Sequence, residues 1–205
     1  MKIKICGLFR EADIDYVNEA RPDFIGFVFA QSRRQVSPVL ASSLRQKLME
    51  GIVPVGVFVN APPESISALY RDGVIDIAQL HGTEDEEYIA QLKKLCGIPV
   101  IKTIILDEQD VSVHCSLFTA HCSPDYYLID SGAGSGKAFN WDLLDQQRLT
   151  KPWFLAGGIS SENMGEAMKL NPFAIDISSG AETEGLKDRE KIMQLTAMAK
   201  KGSVL

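Results

Sequence analysis

Cys6 ends a short alternating stretch, Lys2-Ile3-Lys4-Ile5-Cys6, and Gly7 follows it. The β-branched residues and the period of two read as a strand. Ile3 and Ile5 then share one face, and Lys2, Lys4 and Cys6 the other. A thiol on the last residue of a strand, before a glycine turn, sits where parallel α/β proteins carry their chemistry. Taken alone, the stretch equally fits a small buried apolar cysteine. Other reactive side chains fall in the same kind of place. His81 closes the strand-like segment from Ile75, Asp130 the segment from Tyr126, and Ser178 the segment from Phe173. With those positions in view, Cys6 and Asp130 become candidates for catalysis. His81 and Asp176 become candidates for supporting partners.

Three glycine-bearing loops suggest an anion site. Gly134-Ser135-Gly136-Lys137 follows Asp130, Gly157-Gly158 follows Trp153 to Ala156, and Ser178-Ser179-Gly180 ends the segment of Asp176. Glycines let backbone amides approach an anion closely, and a helix N-terminus adds its dipole. A nucleotide P-loop is excluded by spacing, because Ser131 stands at its first glycine position and Ala138 at its Ser/Thr position.

The elements that must position these residues alternate along the chain. After Gly7, Glu11 to Ala20 has helical spacing, and Asp23 to Phe29 is a strand apolar on both faces. Ser37-Pro38 reads as a helix cap and first turn. Strand Val53–Val59, helix Pro62–Arg71, strand Ile75–His81 and a helix capped by Thr83 follow, with Glu86 completing a capping box. Strand Pro99–Ile104, a weaker helix Glu108–Cys122, strand Tyr126–Asp130 and a short helix Trp141–Gln147 come next. Strand Trp153–Ala156, a helix capped by Ser160, strand Phe173–Ser178 and helix Lys187–Lys200 complete the chain. Eight alternating βα units imply parallel strands with right-handed crossovers, closed into a (β/α)8 TIM barrel that is one domain over residues 1–205. Strand parity places Lys4, Gln79, Lys102, Asp130 and Asp176 inside. A buried charge needs a partner, so Asp176 should compensate Lys4 or Lys102.

Composition removes several classes of function. The net charge is −6 with no basic run, which argues against nucleic acid. No segment reaches the length of a membrane span, and no charged-then-apolar leader opens the chain. Cys6, Cys96, Cys115 and Cys122 form no Cys-x-x-Cys pair and no His cluster accompanies them, so a metal or redox site is not expected. Free thiols suit a cytoplasmic setting.

The ordered set Lys4-Ile5-Cys6-Gly7, Gly26-Phe27-Val28-Phe29, Ser32-Arg33-Arg34-Gln35-Val36-Ser37-Pro38, Gln79-Leu80-His81-Gly82, Gly134-Ser135-Gly136-Lys137, Leu155-Ala156-Gly157-Gly158 and Asp176-Ile177-Ser178-Ser179-Gly180 resembles the phosphoribosylanthranilate isomerases. The resemblance covers essentially the whole chain. It implies an Amadori rearrangement in tryptophan biosynthesis, with no metal or other cofactor and a phosphosugar-anthranilate substrate. It also implies Cys6 as general base, Asp130 as general acid and Arg34 against the anthranilate carboxylate. Gly157, Gly158, Ser179 and Gly180 would hold the phosphate, with Gly136 and Lys137 in support. The chain would act as a monomer or homodimer. The mechanism asks for a protonated Asp130 and a Cys6 tuned toward thiolate. Ala138 and Asn140 depart from the family's usual Thr and Asp, and Leu8-Phe9-Arg10 varies another of its segments. Rival readings are a barrel aldolase with Lys102 as Schiff-base nucleophile, a non-catalytic phosphosugar-binding protein, and a sister barrel that closes the indole ring.

Overall fold

Eight parallel strands close into a ring in sequence order. They are β1 (Lys2–Cys6), β2 (Phe24–Val28), β3 (Val53–Phe58), β4 (Ile77–Leu80), β5 (Val100–Ile105), β6 (Tyr126–Asp130), β7 (Trp153–Ala156) and β8 (Ala174–Ile177). The computed structural model describes residues 1–105, 124–130 and 151–201. The helices expected over 108–122 and 141–147 lie outside these residues, as do Gly136 and Lys137. β1 pairs with both β2 and β8, so the sheet has no open edge.

Around the ring lie α1 (Glu11–Ala20), α2 (Pro38–Lys47), α3 (Pro63–Arg71), α4 (Glu86–Cys96), α5 (Met164–Lys169) and α6 (Arg189–Lys201). Ser37 caps α2 as expected, its hydroxyl accepting the Leu40 amide at 3.2 Å, with Pro38 in the first turn. Two expected caps are displaced. Asp85, not Thr83, caps α4 by accepting the Tyr88 amide at 2.9 Å, because the Thr83 hydroxyl is donated to Asn60. Ser160 opens a turn, and α5 begins four residues later, at Met164.

The barrel interior is sorted by height. Phe24, Ile77, Ile101, Leu128, Phe154 and Ala174 fill its lower part. Rings of Phe24, Tyr126 and Phe173 surround Phe154, with centroids 5.3 to 5.8 Å from it in edge-on contact. Above them stand the polar residues. The β1–β8 register sets Lys4 opposite Asp176, and the Lys4 ammonium donates to the Asp176 carboxylate and to Gln79 Oε1, each at 2.8 Å. This settles the expected choice of lysine in favour of Lys4.

Lys102 corrects the parity reading. Ile101 and Thr103 are the inward residues of β5, and Lys102 points to the outer side. The phase follows from Ile101, which completes the apolar layer with Ile77 and Leu128. The Lys102 ammonium is taken up by the Gly82 carbonyl at 2.7 Å and the Glu84 carboxylate at 2.9 Å.

One element had no counterpart in the sequence reading. β9 (Glu182–Thr183) and β10 (Leu186–Lys187) form a hairpin between the last barrel strand and the last helix; Lys187, expected to open that helix, ends the hairpin, and α6 starts only at Arg189. Both residues of its two-residue turn, Glu184 and Gly185, have positive φ, as primed hairpin turns require.

Candidate active site

A cavity of about 280 Å³ opens at the carboxyl ends of the strands. Cys6 from β1, Asp130 from β6 and His81 after β4 line it. So do Arg34 from the loop after β2, Gly157 and Gly158 after β7, and Ser178 and Ser179 after β8. Gln79 and Asp176 contribute from the polar layer below. Nearly every described site residue expected from sequence is therefore brought to one place. The exception is Gly180, which lies behind the lining. A Cβ there would sit 1.9 Å from the Ile159 carbonyl oxygen, so its bareness lets the loop after β8 pack onto the loop after β7. Lys102 does not line the cavity, which leaves the Schiff-base reading without its nucleophile.

Cys6 is seated by glycines on both sides. A Cβ on Gly26 of the neighbouring strand would lie 2.6 Å from Cys6 Sγ, so the sulfur occupies the space a side chain would need. Gly7 has φ +83°, and a Cβ on it would meet Arg34 Cδ at 2.4 Å. The aliphatic stem of Arg34 thus crosses the backbone immediately after Cys6. Burial pushes the Cys6 thiol above its ordinary value, against the pull of the Lys4 ammonium and, more weakly, Lys187. The direction is opposite to the expected tuning toward thiolate: the two cations are present, but desolvation outweighs them.

His81 is set by a chain that begins at Lys4. An ammonium can only donate, so Gln79 must turn Oε1 toward it and its NH2 group toward His81 Nδ1, 3.2 Å away. The Thr103 hydroxyl also reaches Nδ1, at 3.1 Å. Nδ1 is therefore the acceptor and Nε2 carries the proton. Nε2 lies 3.7 Å from Asp130 Oδ2, longer than a hydrogen bond but close enough for the N–H dipole to act on the carboxyl. Burial lowers the imidazole below its ordinary value, with Asp130 opposing, so this ring is neutral.

Glu182 and Lys187, which the sequence reading passed over, stand beside Arg34. Glu182 receives Arg34 Nε at 2.6 Å and Nη2 at 2.9 Å, Arg33 Nη2 at 2.7 Å and Lys187 Nζ at 2.7 Å. Burial works to raise the Glu182 carboxyl, but the hydrogen bonds from Arg34 and Lys187 hold it below its ordinary value. The available signal was Glu182 and Lys187 flanking Glu184-Gly185, a turn less distinctive than Asn-Gly or Asp-Gly.

Fold and site together define a (β/α)8-barrel enzyme with a polar pocket at its carboxyl rim. The comparisons narrow the class. The family model for N-(5'-phosphoribosyl)anthranilate (PRA) isomerase matches residues 3–197, and the chain belongs to that family. It is 44% identical over 199 residues to the isomerase of Endomicrobium trichonymphae, covering 94% of this chain and 95% of that one. Against the isomerase of Clostridium acetobutylicum the identity is 42% over 205 residues, with 98% of each covered. Among solved structures, the isomerase of Thermotoga maritima superposes with TM-score 0.86 at 32% identity, over 98% of this chain and 99% of that one. An isomerase in complex with reduced 1-(o-carboxyphenylamino)-1-deoxyribulose 5-phosphate superposes with TM-score 0.83 at 31% identity, over the same shares.

Proposed function

We propose that Cys6 and Asp130 are the base and acid with which this chain carries out its family's reaction. That reaction is the Amadori rearrangement of N-(5-phosphoribosyl)anthranilate to 1-(2-carboxyphenylamino)-1-deoxyribulose 5-phosphate, a step of tryptophan biosynthesis. The observation carrying the assignment is that a thiol from β1 and a carboxyl from β6 line one cavity, three places apart around the ring. Asp130 delivers a proton to the furanose ring oxygen, the C–O bond breaks, and the ring opens to an iminium. The Cys6 thiolate then removes the proton from the sugar's second carbon, and the resulting enolamine relaxes to the ketone. Each turnover leaves Cys6 protonated and Asp130 ionised, so a proton must return from one to the other before the next. His81 Nε2–H faces Asp130 and favours the carboxylate left after donation.

In this reading Arg34 receives the anthranilate carboxylate. The bare backbones of Gly157 and Gly158, with Ser179, receive the phosphate, and Gly180 acts by letting the two loops meet. The Gly157 and Gly158 φ values of +101° and +60° leave the loop after β7 a shape that other residues rarely adopt. We read the working unit as a monomer or homodimer acting in the cytoplasm. One solved relative comprises monomers made from the dimeric Thermotoga maritima isomerase, and no helix among the described residues is long and apolar enough to cross a membrane.

The test is turnover with phosphoribosylanthranilate generated in place. Cys6→Ala and Asp130→Asn should each fold and lose about 10²–10⁴-fold in kcat, the usual worth of a positioned acid or base. Near-normal turnover in either purified variant would refute its role.

A further inference from the structure

Arg34 is the residue we read as meeting the substrate carboxylate, and the structure shows how much of it is already committed. A guanidinium has two bidentate edges, one formed by Nε with Nη2 and one by Nη1 with Nη2. Glu182 occupies the first, with bonds of 2.6 and 2.9 Å. The stem is pinned from the other side, because Arg34 Cδ lies where a Cβ on Gly7 would be. The second edge is what remains for a ligand. Glu182 is itself held: its side chain is 4% exposed, and Lys187, fully buried, bonds both Glu182 and the Ser178 carbonyl at 2.9 Å. Arg33 adds a third cation, so three positive charges share one carboxylate at this corner. An anion docking there meets a net positive surface.

We propose that Glu182 is a positioning residue for substrate recognition, fixing Arg34 so that its Nη1–Nη2 edge faces the aromatic carboxylate. This rests on the reading of Arg34 given above. Through Lys187 and Ser178, Glu182 also ties the carboxylate end of the site to the loop after β8. The β9–β10 hairpin is therefore part of the recognition machinery. Its antiparallel pairing of Glu182 with Lys187 sets the charge that orients an arginine from the far end of the chain.

The experiment compares two inhibitors. One is reduced 1-(o-carboxyphenylamino)-1-deoxyribulose 5-phosphate, and the other is its counterpart with a phenyl ring in place of the carboxyphenyl. Glu182→Gln keeps the shape but turns an NH2 group toward cationic donors, so Arg34 should lose its fixed aim. The expected result is about tenfold or more weaker binding of the carboxylated compound, with the phenyl compound unchanged, and a rise in KM larger than any fall in kcat. Equal weakening of both compounds would mean a general structural role and overturn the proposal, as would no weakening of either. Arg34→Lys supplies a second route if Glu182→Gln fails to fold. A lysine has no second bidentate edge to offer once it meets Glu182, so it should abolish the preference for the carboxylated compound, and a retained preference overturns the proposal. Arg34→Met separates the two levels of argument. If it leaves the preference intact, the reading of Arg34 itself falls. If it abolishes the preference while Glu182→Gln does not, only the role of Glu182 falls.

Discussion

Cys6 presents a conflict between position and ionisation. The role proposed for it requires a sulfur that can take a proton, while burial raises its pKa and keeps the free protein's sulfur as thiol. A raised value means a stronger base present in smaller amount. The ultraviolet absorbance of the Cys6 thiolate, taken as the difference from Cys6→Ala, should therefore still be growing with pH at the ordinary thiol value of 9.0. A plateau reached well below that point would contradict a buried thiol base. For His81 the argument from Lys4 through Gln79 makes a spectroscopic prediction. Nitrogen shifts of the His81 ring should report the Nε2–H tautomer above its pKa. Gln79→Leu should release that preference while turnover falls, and an unchanged tautomer in the variant would show that Thr103 alone sets it.

At the scale of elements, the strands could be read because their patterns are dictated by burial on both faces. The ends of β6 and β7 fall where the residues predicted, and α1 matches at both ends. Cys6, Asp130 and Arg34 could be located for the same reason: residues at strand ends and in the loops just beyond them are carried to one rim by parallel topology. Lys102 could not, because its neighbours Ile101 and Thr103 serve either face and only the packing of Ile101 against Ile77 and Leu128 fixes the phase. Glu182 and Lys187 were hidden by a different cause. Two-residue strands carry no period, and the partners that give Glu182 its role, Arg33 and Arg34, lie about 150 residues away. Close packing of strands around the sulfur gives a further prediction. Gly26→Ala would drive a methyl group to 2.6 Å from Cys6 Sγ. It should depress kcat well beyond its effect on melting temperature, since the sulfur must move while the strand can persist. A variant with normal kcat would mean that the sulfur has room to spare.

Over the whole molecule, the seam where β8 meets β1 carries a buried charge pair at the height where the interior changes from apolar to polar. Removing one partner leaves the other buried without its counter-charge, so Lys4→Met should cost about 3–5 kcal/mol in urea unfolding. Adding Asp176→Leu should restore most of that stability, and a double variant as unstable as the single one would mean that packing, not charge, closes the seam. Acid sensitivity follows from two groups held below their ordinary values. As pH falls below 6.5 the unfolded chain protonates this histidine before the folded protein accepts a proton at His81, so stability decreases through that window. Glu182 acts with the same sign below 4.5. The melting temperature should thus decline in two stages on acidification, and His81→Asn should remove the upper stage. Persistence of that stage in the variant would assign it to another group.

The tight seat of Cys6 against Gly26 also bears on how this protein ages. Peroxides and alkylating reagents attack thiolates that they can reach. Here the sulfur is protonated at neutral pH and packed into the space left by Gly26 of the neighbouring strand. Of the two cysteines among the described residues, half-buried Cys96 on α4 should react with iodoacetamide before Cys6, leaving turnover intact. The enzyme should accordingly survive long handling in air without a reducing agent.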